Sequence, residues 1–108
     1  MAEAVTAVTE LEGWIPRHTG HSLQDGTPVT AWLRITSEGT VASDRAGTLS
    51  WMGHLRPGLR LAVRALCRTN DVQIDRGELC LHVPPGGDID EAIDRLGRVC
   101  ARVAKIAF

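Results

Sequence analysis

Cys80 and His82, in the stretch "ELCLHV", stand two residues apart, so on a strand the thiol and the imidazole project from one face. A thiol beside an imidazole is the beginning of a nucleophile–base pair. Such a pair also needs a group to orient the base and a donor for the oxyanion. The sequence identifies neither, and a small apolar Cys beside an edge His accounts for the same letters. His18 and His21 of "HTGH", joined to Cys80 and His82, would make up a four-donor set of the kind zinc takes. No CxxC pair accompanies them, and HxxH in a loop is a weak metal signal. No catalytic residue, metal ligand or cofactor is therefore expected. A small metal-binding protein or enzyme built on Cys80, His82, His18 and His21 is the alternative.

Arg56, Arg60, Arg64 and Arg68 recur every four residues and would line one side of a helix. A solvated face is the ordinary explanation of such a stripe; the sharper one is a contact for an acidic segment or for nucleic acid. Aromatic residues do not interleave with the arginines, so nucleic acid is disfavoured. Trp32 falls on the polar side of its strand, where an exposed indole marks a partner surface, although an indole there could equally lie under a helix. Trp32, Arg60, Arg64 and Arg68 are the expected partner-binding residues. The glycine-rich bend in "HVPPGGDIDEAIDRL" invites comparison with a phosphate cradle. However, Asp88 occupies the N-cap position, Glu91 follows at the capping-box spacing and Asp90 adds a third carboxylate. Those side chains take the free N–H groups and repel an anion. The bend is punctuation between a strand and a helix.

The elements that would position these residues follow from periodicity. "AEAVTAVTELEG" reads as a short helix with Val5, Val8 and Leu11 on one side, stopped at Gly13. Trp14 to Gly26 reads as a loop or a ragged first strand. "TPVTAWLRIT" alternates, with Val29, Ala31, Leu33 and Ile35 against Thr30, Trp32, Arg34 and Thr36, the pattern of a half-buried strand. "TVAS" and "TLSWM" continue the meander. In "RPGLRLAVRALCRTND" the helical reading wins: Leu59, Ala62, Val63 and Leu66 share a face, the arginines oppose them, and Pro57 suits a first turn. "VQI" and "ELCLHV" flank a turn and place Leu79, Leu81 and Val83 together. From Ile89, apolar residues at 89, 93, 96, 100, 103 and 107 define a long amphipathic helix.

The expectation is a single α+β domain over residues 1–108. Its antiparallel sheet has about five strands, with N-terminal, central and long C-terminal helices in the order α-βββ-α-ββ-α. Composition agrees: 44% hydrophobic, 23% charged, and a net charge of −1 that pulls the chain toward neither nucleic acid nor membrane. Three widely spaced cysteines, Cys67, Cys80 and Cys100, suit a reducing compartment. "MAEAVTAVTELEG" lacks the basic start of a secretory signal. No apolar run approaches the roughly 20 residues of a bilayer span. A cytoplasmic protein is expected.

From "TLSWMGHLRPGLRLAVRALCRTND" onward the chain resembles the type III secretion chaperone-like fold, which includes the YbjN-like proteins. Leu49, Trp51, Gly53, Leu55, Pro57, Leu66 and Asn70 stand where that pattern has similar residues. The resemblance covers about residues 48–106. It implies a small cytosolic homodimer that binds extended segments of a protein partner. The near-neutral charge departs from the acidic chaperones of that family. The functional expectation is a non-enzymatic, chaperone-like or adaptor module that binds a protein through its sheet or a helix face. A subunit of a larger assembly, such as one of phage origin, is a further alternative.

Overall fold

The structure is a computed structural model and describes residues 13–45 and 57–107. In these segments three strands, β1 (Ile15–Ser22), β2 (Pro28–Thr36) and β3 (Gly39–Ser43), precede helix α1 (Pro57–Thr69). Strands β4 (Gln73–Asp75) and β5 (Glu78–Val83) and helix α2 (Ile89–Ala107) follow. The strands form one antiparallel sheet in the order β1-β2-β3-β5-β4, so β1 and β4 are its edges. The chain is thus α+β with a five-stranded antiparallel sheet. The helix expected before Gly13 and the strand expected at "TLSWM" lie outside the described residues.

One face of the sheet is apolar because alternation puts it there. Val29, Ala31 and Leu33 of β2, Ala42 of β3 and Leu79, Leu81 and Val83 of β5 are all buried. Paired residues share a face, and the register aligns Leu33 with Ala42 and Ala42 with Leu81. α2 lies across β1, β2, β3 and β5, while α1 packs on α2 and β4. The inward side of α2 carries Ile93, Leu96, Val99, Cys100 and Val103, all buried, which follows the three- and four-residue spacing. Truncating a fully buried Leu such as Leu96 costs about 2–5 kcal/mol.

Several expectations take a different form. Residues 15–22 are a strand, although only Thr19 of that strand is buried, because β1 is an edge and shows little alternation. Ile35 shares the inward register but is 68% exposed at the end of β2. On α1 the buried positions are Val63 and Cys67, with Leu59 and Leu66 half-buried and Ala62 exposed. The inward face is therefore rotated by about one residue from the 59/62/63/66 set. At α2, Asp88 Oδ1 accepts the Glu91 N–H at 3.0 Å, as an N-cap should. The Glu91 carboxylate does not return to Asp88; it pairs with Arg95 one turn on. The capping box is half formed.

Two close approaches depend on glycine. Gly39 opens β3 at φ +127°, and a Cβ there would run into the Val83 carbonyl. Gly97, in the middle of α2, faces Thr19 and His21 of β1, and a Cβ would collide with Thr19 Cβ. This absence of a side chain lets the helix settle on the edge strand.

Candidate functional site

Helix α1 ends in a way that builds a groove. Asp71 adopts φ +57°, its N–H donates to the Arg68 carbonyl at 3.2 Å, and the Val72 N–H donates to the Cys67 carbonyl at 2.8 Å. This is the Schellman arrangement, with Asp rather than Gly in the left-handed position and buried Val72 against buried Cys67. The tight exit turns the chain straight into β4. Asn70 Nδ2 donates to the Leu66 carbonyl at 2.9 Å, and Arg95 Nη1 donates to the Asn70 carbonyl at 3.0 Å, tying the turn to α2. Between the last turns of α1 and β4 the surface sinks into a groove of about 620 Å³. Arg64, Arg68 and Asp71 stand along it, with Cys67, Val72, Gln73 and Ile74 completing the lining.

Among the described residues the groove opens on an edge of the sheet. β4 and β5 are joined by the two-residue turn Arg76-Gly77, both at positive φ (53° and 82°), which is the type I′ hairpin turn. Such a turn makes Asp75 and Glu78 a hydrogen-bonded pair, so by alternation Ile74 and Leu79 form the non-bonded pair. The N–H and C=O of Ile74 are therefore directed away from β5. No described strand lies beyond them.

The electrostatics of α1 are one-sided. Residues 57–69 include Arg60, Arg64 and Arg68 and no acidic residue. All three arginines are exposed. Among the described residues none of their guanidinium groups enters a hydrogen bond or ion pair. On α2, by contrast, Arg95 pairs with Glu91 at 3.2 Å and Arg98 with Asp94 at 2.7 Å. Asp71 also leans toward α2, 3.8 Å from Arg95.

The other candidates are dispersed. His82 is exposed, and its Nε2 lies 3.0 Å from the Glu38 carbonyl rather than against a thiol. Burial, and then Asp75, Glu78 and Asp44, push the Cys80 thiol up, away from a reactive thiolate. His18 pairs in register with Thr30 on the face away from the helices, whereas His21 Nε2 meets Asp94 Oδ1 of α2 at 2.9 Å. The two histidines of "HTGH" therefore serve opposite faces. Among the described residues no group of three His, Cys, Asp or Glu is arranged to hold a metal ion. Trp32 is half-buried on the outer face, opposite Pro16 and Ser43. It lies across the sheet from the arginine stripe. Trp14 sits under Arg45, 4.8 Å from its guanidinium, with Arg34 at 6.0 Å.

Asp44 is the buried polar centre. Where β3 leaves the sheet, its Oδ1 accepts the Leu79 N–H at 2.9 Å and its Oδ2 faces Cys100 Sγ at 3.8 Å. Burial first, and the Asp44 charge second, push the Cys67 thiol up to about 11. This cluster extends the ladder by a side chain. It was not foreseen, because a lone Asp after a strand reads as a turn residue.

Comparison of the chain with protein-family models, curated proteins and solved structures returns no match. No helix among the described residues is long and apolar enough to cross a membrane.

Proposed function

We propose that this protein is a small non-enzymatic binding module, chaperone-like or adaptor in kind, that holds a segment of a partner protein in the groove between α1 and β4. The observation that carries this reading is the groove of about 620 Å³ at a sheet edge where the Ile74 amide and carbonyl meet no described strand. An extended segment laid beside β4 would satisfy those groups, and pockets beside the edge would choose among side chains. The resemblance to the type III secretion chaperone-like fold belongs to this proposal, as do the homodimer and the cytoplasmic setting. Of the residues that carry it, Leu49, Trp51, Gly53 and Leu55 lie outside the described segments.

The test is selection of a displayed random-peptide library on the full chain, with each clone then scored on two variants. Ile74→Lys blocks the groove at an edge position, and Trp32→Ala alters the outer face. Clones that lose Ile74→Lys and keep Trp32→Ala support the groove. Clones lost only on Trp32→Ala move the binding surface to the open sheet face and sink the reading.

A further inference from the structure

The charge on α1 asks for an explanation beyond solubility. A helix gains from acidic residues near its start and from Glu–Arg pairs one turn apart, each worth a few tenths of a kcal/mol. α2 uses both devices: Asp90 and Glu91 open it, and Arg95 and Arg98 are paired. α1 uses neither. Its first turn has no acid, Arg60 stands near the positive end of the dipole, and its three guanidinium groups have no partner among the described residues. Two of the three, Arg64 and Arg68, stand on the wall of the groove one turn apart.

Resting on the reading of the groove as a binding surface, we propose that its occupant is an acidic segment of a partner protein. Arg64 and Arg68 take its carboxylates, while its apolar side chains lie on Cys67, Val72 and Ile74. Guanidinium groups suit this task because their planar forks meet carboxylates in paired hydrogen bonds. The one acid among the described residues of the wall, Asp71, already faces Arg95, which leaves the two arginines for the incoming chain. A nucleic-acid strand fits less well. Among the described residues of the lining there is no aromatic ring for a base to stack on, and Cys67, Val72 and Ile74 offer apolar surface instead.

The experiment titrates the isotope-labelled full chain with three soluble peptides of equal length, alternating valine with glutamate, glutamine or lysine. A short thymidine oligonucleotide is the fourth probe. The glutamate peptide should bind about tenfold more tightly than the glutamine peptide, with amide shifts at Val72 and Ile74 and a steep loss with salt. The Arg64→Glu/Arg68→Glu variant should lose that preference and bind the lysine peptide instead. Arg64→Gln/Arg68→Gln should bind the glutamate and glutamine peptides alike. Equal binding of the glutamate and glutamine peptides to the unaltered groove would overturn the acidic partner and leave the groove reading standing. Shifts confined to the Trp32 face, or none with any peptide, would overturn both. Binding of the oligonucleotide at Arg64 and Arg68 at least as tight as that of the glutamate peptide would overturn a protein partner in favour of nucleic acid.

Discussion

Replacing Gly97 by Ala sets two physical effects against each other, and the structure says which one wins. In an isolated helix the change stabilises by about 1 kcal/mol, because Gly loses more backbone freedom than Ala on ordering. In this chain the added methyl would collide with Thr19 Cβ and lie 2.8 Å from His21 Cδ2. Thr19 cannot swing aside freely: it is buried, its hydroxyl donates to the Val29 carbonyl at 2.8 Å, and the His21 N–H donates to that hydroxyl at 3.1 Å. Relief requires α2 and β1 to separate by about 1 Å, since apolar carbons pack at about 3.5–4 Å. Overpacking of this kind costs about 1–3 kcal/mol. It also stretches the 2.9 Å contact between His21 and Asp94. Net destabilisation of about 1 kcal/mol is expected after the propensity gain, a fall in Tm of roughly 4–8 °C for a chain of this size. Urea and thermal unfolding of Gly97→Ala, Thr19→Gly and the double variant give the coupling. The double variant should be more stable than the sum of the singles predicts. A rise in Tm for Gly97→Ala alone would refute the close approach of α2 to β1.

Other outcomes follow from the same contacts. Asp88→Ala should lower stability by about 1 kcal/mol through loss of the cap on Glu91, read by urea denaturation, with Asp88→Ser nearly neutral. Arg60→Glu should raise stability by about 0.3–1 kcal/mol, because an acid near the start of α1 suits the dipole and no internal partner is lost; a fall would mean that Arg60 has a structural task. The hydrogen bond from His21, with the charges of His21 and Arg98, holds the Asp94 carboxyl below its ordinary 3.8. Its contribution is therefore complete above the unfolded value and disappears as pH falls through the folded one. Asp94→Asn should flatten the acid limb of stability against pH while changing little at the Cys residues. The Cys67 thiol, pushed up to about 11, favours the folded state fully below its unfolded pKa and loses that contribution as pH rises through the folded value. Cys67→Ser should reduce the loss of stability between about pH 9 and 11, measured by urea midpoints.

The parts of the fold legible in the sequence were those where a period maps directly onto burial. The alternation at 29, 31 and 33 and at 79, 81 and 83, and the three- and four-residue steps along α2, name residues that are in fact buried. Residues 15–22 gave no such signal, because an edge strand with one buried side chain has little alternation to show. The arginine stripe was readable at four-residue spacing; that Arg60, Arg64 and Arg68 have no side-chain partner among the described residues needed coordinates. The groove was not readable at all. The short strand beside it was legible from the hairpin read at "VQI" and "ELCLHV", but the hollow depends on Asp71 taking a left-handed turn that glycine usually announces. Gly97 also passed unnoticed, since what matters there is the neighbour it admits rather than the helix it interrupts.

The two borders of the sheet differ in how they would meet another molecule of the same chain. Along β1 the register with β2 breaks between His18 and Ser22, and Pro16 offers no amide hydrogen. A second sheet approaching that border would find its hydrogen-bond pattern interrupted, which discourages stacking of chains into fibrils. β4 follows another policy. With three residues it is too short to template an ordered stack, yet it leaves one amide and one carbonyl accessible. Of the two borders, only the one beside Arg64 and Arg68 thus suits a short visitor.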